Sequence, residues 1–223
     1  MTNELKKRLI TSVFLMTLLA LIFMYNYILI ITLIIILTLS WVEFSGLISK
    51  IFIKKTSSTK LLKLLVKILI LIYLVFFSYF LYLGIIQPDY KLNIFYLFSI
   101  CIFSDIGGLI FGKIFKGKKL TKISPNKTIS GSIGSFVLSL FLVPIFYFVF
   151  LQTNDYYSMI LIAIIVSFSC QLGDLFISYL KRKANVKDTG DLLPGHGGIL
   201  DRIDGILLAI PVGMLFLRLL KII

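Results

Sequence analysis

Charge is scarce in this chain, and acid is scarcer still. Only 15% of its 223 residues are charged, 23 of them Lys or Arg against 10 Asp or Glu, while 59% are hydrophobic. With a mean hydropathy of +1.03 the chain is too apolar for an ordinary soluble domain and reads as an integral membrane protein. The formal charge of +13 does not point to nucleic acid as a partner. The bases lie between long apolar runs, where they set orientation and meet acidic lipid head groups. Only two cysteines are present, Cys101 and Cys170, both inside apolar runs. They read as buried thiols and not as a disulfide or a metal pair. No small-residue cleavage site follows the basic start Lys6-Lys7-Arg8, so the first apolar run is expected to be a retained anchor.

What the chain has instead is length of apolar run. Residues 9–42 carry no charge. As one helix that run would extend about 50 Å at ~1.5 Å per residue, against a hydrocarbon core of ~30 Å. Two helices are therefore expected, turning at Tyr25-Asn26-Tyr27, with tyrosines suited to the interface. Further spans are expected near 61–86, 92–112, from the end of a basic loop at 113–127 to about 150, from a polar turn at 152–155 to about 180, and over 203–220. The fold class is an all-α polytopic membrane protein of about seven transmembrane helices with a cytoplasm-facing polar cavity. With the N-terminus in the cytoplasm, the bases of 6–8, 50–67, 113–127 and 181–202 collect on that side, leaving Lys91, Arg218 and Lys221 outside. This positive-inside bias implies a multi-pass protein of the cell inner (cytoplasmic) membrane.

Two aspartates fall inside spans. Asp105 precedes Lys113 by eight residues and Asp174 precedes Lys181 by seven, so both lie roughly 10–12 Å below the cytoplasmic boundary at ~1.5 Å per residue. Intramembrane carboxylates are costly and mark function, unless they pair with Lys or Arg to hold the bundle together. Gly107, Gly108 and Gly173 beside them allow close helix approach, or an interrupted helix lining a cavity.

The polar residues concentrate in 170–204, CQLGDLFISYLKRKANVKDTGDLLPGHGGILDRID. Asp174, Asp201 and Asp204 offer the hard oxygens that Mg²⁺ prefers, and Lys181, Arg182, Lys187 and Arg202 can hold phosphate oxygens. The turn Pro194-Gly195-His196-Gly197-Gly198 can expose backbone N–H groups, and the helix that follows favours anions at its start, so phosphate could be cradled there. Asp201 and Asp204, three apart near that start, would share a face.

This pattern resembles the phosphatidate cytidylyltransferase (CDP-diacylglycerol synthase) family. Its signature is met at Ser178, Lys181, Arg182, Lys187, Asp188, Pro194, Gly195, His196, Gly197, Gly198, Asp201, Arg202 and Asp204. A second segment, Ser124-Pro125-Asn126-Lys127-Thr128 with Gly131 and Gly134, is similar to the family's S-P-K-K-T element. The chain departs from the family at Asn126 (usually Lys), Ser130 (usually Glu) and Ile177, where a glutamate is expected after Gly173-Asp174-Leu175. The resemblance divides the chain into N-terminal transmembrane helices, 1–91, and a catalytic transmembrane region, 92–223, with the signature loop at 178–204.

The resemblance implies a nucleotidyltransferase of phospholipid biosynthesis. CTP and phosphatidic acid give CDP-diacylglycerol and diphosphate, with Mg²⁺ required and a second cation left open. Asp174 and Asp201 are the implied metal ligands, with Asp204 supporting. Lys181, Arg182, Lys187 and Arg202 would hold the triphosphate and the lipid phosphate. Lys127, Ser124, Thr128, Ser178, Gly197 and Gly198 are candidate substrate contacts, although Thr128 and Ser178 could equally bond their own backbone. His196, the sole histidine, is expected to bond phosphate or shape the loop. CTP, phosphatidic acid and the bilayer are the implied partners, nucleic acid is not, and a homodimer is left open. Two other classes remain alternatives: another CTP-dependent lipid kinase or transferase, and an ion-coupled transporter using Asp105 and Asp174.

Overall fold

A computed structural model describes residues 3–53, 56–149, 155–192 and 197–220, with side chains from residue 10 onward. Among these residues there is no strand, only isolated bridge residues, and there are seven helices. They are α1 (Asn3–Met24), α2 (Asn26–Ile51), α3 (Ser57–Ile86), α4 (Pro88–Phe115), α5 (Ile129–Val149), α6 (Tyr156–Lys183) and α7 (Leu200–Leu219).

Local chemistry explains where these helices begin and end. Tyr25 alone is extended (φ −130°, ψ 115°) and splits the long N-terminal run into α1 and α2, as its excess over the membrane thickness requires. Pro88 opens α4, where a missing N–H costs nothing. Thr128 caps α5: its Oγ1 accepts the Gly131 N–H at 3.0 Å, satisfying a donor that the helix itself cannot serve. Asp155 does the same for α6 through the Ser158 N–H at 3.0 Å.

Five helices, α2 to α6, are long and apolar enough to cross a membrane. The other two differ from the expected seven spans for identifiable reasons. In α1 the apolar segment is Ile10–Met24, about 22 Å at ~1.5 Å per residue, short of ~30 Å. In α7, Asp201, Arg202 and Asp204 stand at the beginning and Arg218 at the end. The protein is accordingly all-helical and polytopic.

The chain forms two compact units, one of residues 1–86 with 180–203, the other of 87–179 with 204–223. In the first, α2 buries Leu29, Leu33, Phe44, Leu47 and Ile48, and α3 buries Leu74, Phe77, Leu81 and Ile85. The second is held by small residues and internal hydrogen bonds, the usual glue where lipid removes the hydrophobic drive between helices. A Cβ on Gly134 of α5 would strike the Phe111 side chain and lie 2.8 Å from the Gly107 carbonyl oxygen of α4. On α6, a Cβ at Gly173 would come within 2.5 Å of the Asp204 carbonyl oxygen on α7. The close approach expected at Gly107 and Gly173 is thus present. Ser104 and Ser167 hydroxyls lie 3.0 Å apart, Ser135 donates to the Ser104 carbonyl at 2.7 Å, and the buried Tyr96 hydroxyl donates to the Met159 carbonyl at 3.0 Å. Cys101 and Cys170 are buried free thiols.

Candidate active site

The signature segment begins where α6 stops. Asn185 adopts a left-handed conformation (φ 53°), its N–H donates to the Arg182 carbonyl at 3.1 Å, and the Val186 N–H donates to the Lys181 carbonyl at 3.0 Å. This is a Schellman termination, and Asn is one of the few side chains that tolerates the required φ. It turns the chain sharply after the Lys181-Arg182 pair.

Asp201, in the first turn of α7, then gathers the segment around itself. Its Oδ1 accepts Lys181 Nζ at 2.6 Å, and its Oδ2 accepts the Thr189 N–H at 2.8 Å and the Gly198 N–H at 3.0 Å. The pair is well shielded, with the side chains of Lys181 and Asp201 12% and 5% exposed. Burial works against the charged carboxylate, but the Lys181 ammonium and the two backbone donors outweigh it and hold the Asp201 carboxyl below its ordinary range. Gly197 is needed where it stands: its φ is +78°, and a Cβ there would lie 2.8 Å from Asp201 Oδ2.

The second anchor of this segment comes from far away in sequence. Glu43 of α2 is 6% exposed, and its carboxylate accepts the Ile199 and Leu200 N–H groups, both at 2.9 Å, and the Thr189 hydroxyl at 2.6 Å. That hydroxyl also lies 3.0 Å from Asp201 Oδ2; one hydrogen can serve only one of the two carboxylates at a time. A Cβ on Gly198 would fall against both Glu43 oxygens. The N-terminus of α7, expected to cradle phosphate, therefore already faces an internal carboxylate. The donors of Gly198, Ile199 and Leu200 are all taken.

In the other unit, the α4–α5 connection folds back through the bridge Lys119↔Thr128 and a turn in which the Lys127 N–H donates to the Ser124 carbonyl at 3.1 Å. Pro125 suits the second position of that turn, and the turn delivers Lys127 into an ion pair with Asp174 of α6. Both members are about one-quarter exposed. The Ser178 hydroxyl donates to the other Asp174 oxygen at 3.3 Å. Asp105 lies beside the Cys170 thiol, 3.9 Å from its sulfur, and Asp204 Oδ1 accepts the Gly205 N–H at 2.9 Å.

Set against the sequence reading, Asp201, Lys181, Gly197 and Gly198 come together, as do Asp174, Lys127 and Ser178. Lys181 is turned inward onto Asp201, whereas Arg182, Lys187 and Arg202 are exposed. Thr128 serves as a helix cap. Pro194, Gly195 and His196 lie outside the described residues. Sequence reasoning missed Glu43 and Thr189. The signal for Glu43 was a lone acid directly after a charge-free run, which an intramembrane search for carboxylates finds.

Magnesium needs hard oxygen donors, and Asp174 and Asp204 supply that chemistry. Asp201 has less to offer, since Oδ2 is saturated and Oδ1 already holds Lys181. No three His, Cys, Asp or Glu side chains converge on one point among the described residues.

A sequence model described as the Cytidylyltransferase family matches residues 1–220. Curated relatives include the phosphatidate cytidylyltransferase of Staphylococcus haemolyticus, 43% identical over 135 residues, covering 60% of this chain and 52% of that protein. That of Bacillus subtilis is 44% identical over 120 residues, covering 52% and 45%, and that of Rickettsia felis is 49% identical over 116 residues, covering 48% and 51%. The chain spans about half the length of the curated relatives it matches. With a family match along almost its whole length, and with the family signature drawn together around Asp201, the chain belongs to the cytidylyltransferase family.

Proposed function

We propose that the protein is a phosphatidate cytidylyltransferase, converting CTP and phosphatidic acid to CDP-diacylglycerol and diphosphate, with its chemistry in residues 92–223. The observation that carries the reading is the Lys181–Asp201–Gly198 network, at 2.6 and 3.0 Å, which ties the signature's fixed positions to one another. A solvated connecting loop would have no reason to bury them. The active site is proposed to face the cytoplasm at the inner membrane, where the basic connections and CTP both lie.

In this reading an oxygen of the lipid phosphate, already anionic, attacks the α-phosphorus of CTP. The new P–O bond joins lipid phosphate to cytidylate, and the α–β bridging oxygen leaves with its electron pair as diphosphate. No protein nucleophile is needed, so catalysis is positioning and charge neutralisation. The exposed cations Arg182, Lys187 and Arg202 would take phosphate oxygens and lower the repulsion between two polyanions. Lys181 would act indirectly, by fixing Asp201. Asp174 and Asp204 would hold magnesium, with Lys127 giving up its partner when the cation binds. Bound there, magnesium would neutralise charge on the phosphates.

The test is turnover by purified protein in lipid. CTP labelled at the α-phosphorus should mark the lipid product and γ-labelled CTP only diphosphate, in a magnesium-dependent reaction. Label from the γ-position in lipid would indicate a kinase. No CTP-dependent conversion of phosphatidic acid would reject the proposal.

A further inference from the structure

One of the buried carboxylates that hold the signature segment is not in the signature. Glu43 stands on α2, its two oxygens closed over by the Ile199 N–H, the Leu200 N–H and the Thr189 hydroxyl at 2.6–2.9 Å. Among the described residues no lysine or arginine forms a salt bridge with it; its partners are the two N–H groups at the start of α7 and the Thr189 hydroxyl. An acid at the first N–H groups of a helix is favoured there, and here it comes from another helix: the residue that caps the start of α7 belongs to α2.

We infer that Glu43 is a positioning residue of the cytidylyl-transfer site: an internal anion at the start of α7 that sets where Asp201 and Arg202 stand. Three observations converge on this. Glu43 and Asp201 share Thr189, whose hydroxyl faces the first and whose N–H faces the second. Gly198 is forced by Glu43, since any side chain there would collide with both carboxylate oxygens. Arg202 follows directly on the turn so held, its own N–H donating to the Ile199 carbonyl at 2.9 Å. The Gly-Gly of the signature thus serves an approach by protein carboxylate, and substrate phosphate must be held by side chains instead of by the amides of 198–200.

The inference rests on the proposed function for its catalytic part, and the experiment separates the two. Glu43→Gln keeps the volume but presents an amide to a cluster of donors. Glu43→Asp keeps the charge and shortens the reach by one methylene. Thr189→Val removes the hydroxyl that joins the two carboxylates and serves should Glu43→Gln fail to assemble. Hydrogen exchange of peptides covering 186–202 and 57–86 is measured in detergent alongside turnover with CTP and phosphatidic acid. Expected is exchange at least tenfold faster in 186–202 with 57–86 unchanged. Turnover number should fall at least tenfold while KM for CTP moves less than threefold, with Glu43→Asp intermediate. Unchanged exchange in 186–202, or equal acceleration in both regions, would overturn the inference. Faster exchange confined to 186–202 in a protein that converts no CTP would uphold the positioning of the segment and sink the proposed function.

Discussion

Replacing Asp201 with Asn tests the centre of the signature directly. Lys181 and Asp201 form a shielded pair, 12% and 5% exposed, at 2.6 Å. Removing one member of such a pair leaves the other charged and poorly solvated, which costs about 3–5 kcal/mol. Lys181 sits in the last turn of α6 and its long side chain can swing toward water, so the lower end, ~3 kcal/mol, applies. That figure is a loss of local stability: at ~1.4 kcal/mol per decade it raises the opening constant of the segment roughly 100-fold. The amides of Thr189 and Gly198, which donate to Asp201, should report it as an exchange rate faster by that factor. Lys181→Met leaves Asp201 with its backbone donors but without its counter-charge and should cost about 2–3 kcal/mol. The double variant should cost less than the sum of the two by about 1–2 kcal/mol, because the stranded lysine is gone. Exchange at Thr189 and Gly198 changing less than about threefold in Asp201→Asn, or fully additive costs, would refute the reasoning.

Three further outcomes follow from the same geometry. The Asp201 carboxyl is held below its ordinary range, so its contribution is complete above the unfolded value of ~4 and is lost as pH falls through the lower folded one. Emission from Trp41, the sole tryptophan and two residues from Glu43, should stay flat from pH 8 to 5 and change below about 4; a transition centred above 5 would contradict the assignment. Ile177 is 2% exposed, so Ile177→Glu, which restores the family's residue, should cost about 2 kcal/mol or more and lower the thermal midpoint in detergent; tighter magnesium binding at unchanged stability would show that the position can accept a ligand. Gly134→Ala should part α4 from α5 at a cost of about 1–3 kcal/mol, read as a lower thermal midpoint, and an unchanged midpoint would mean that the crossing relaxes freely.

The helices were legible because membrane thickness and apolar run length constrain each other. Tyr25 and the Gln87-Pro88 step broke the pattern where the structure breaks, and Gly107 and Gly173 announced close contacts that are there. The interior of the signature was legible only in part. Its residues were identified by order, yet their partners were not: Lys181 faces Asp201 instead of outward, because a buried aspartate with only amide donors would lack a counter-charge. Thr128 was open between a substrate contact and a bond to its own backbone, and its place directly before an apolar helical run, a strong capping signal, favours the backbone bond that it makes. Glu43 escaped because its contacts lie 146 to 157 residues away. No periodicity spans such a distance.

That separation has a consequence for how the protein is made. Glu43 leaves the ribosome well ahead of its partners: Thr189 follows 146 residues later and Leu200 157 later. At ~5–20 residues per second the interval is about 8–30 s. Throughout it, Glu43 is without the Ile199, Leu200 and Thr189 donors that close over it in the folded chain. Emergence of residues 189–200 is then the event that closes donors around this carboxylate, so the cap on the start of α7 waits on a residue made long before it.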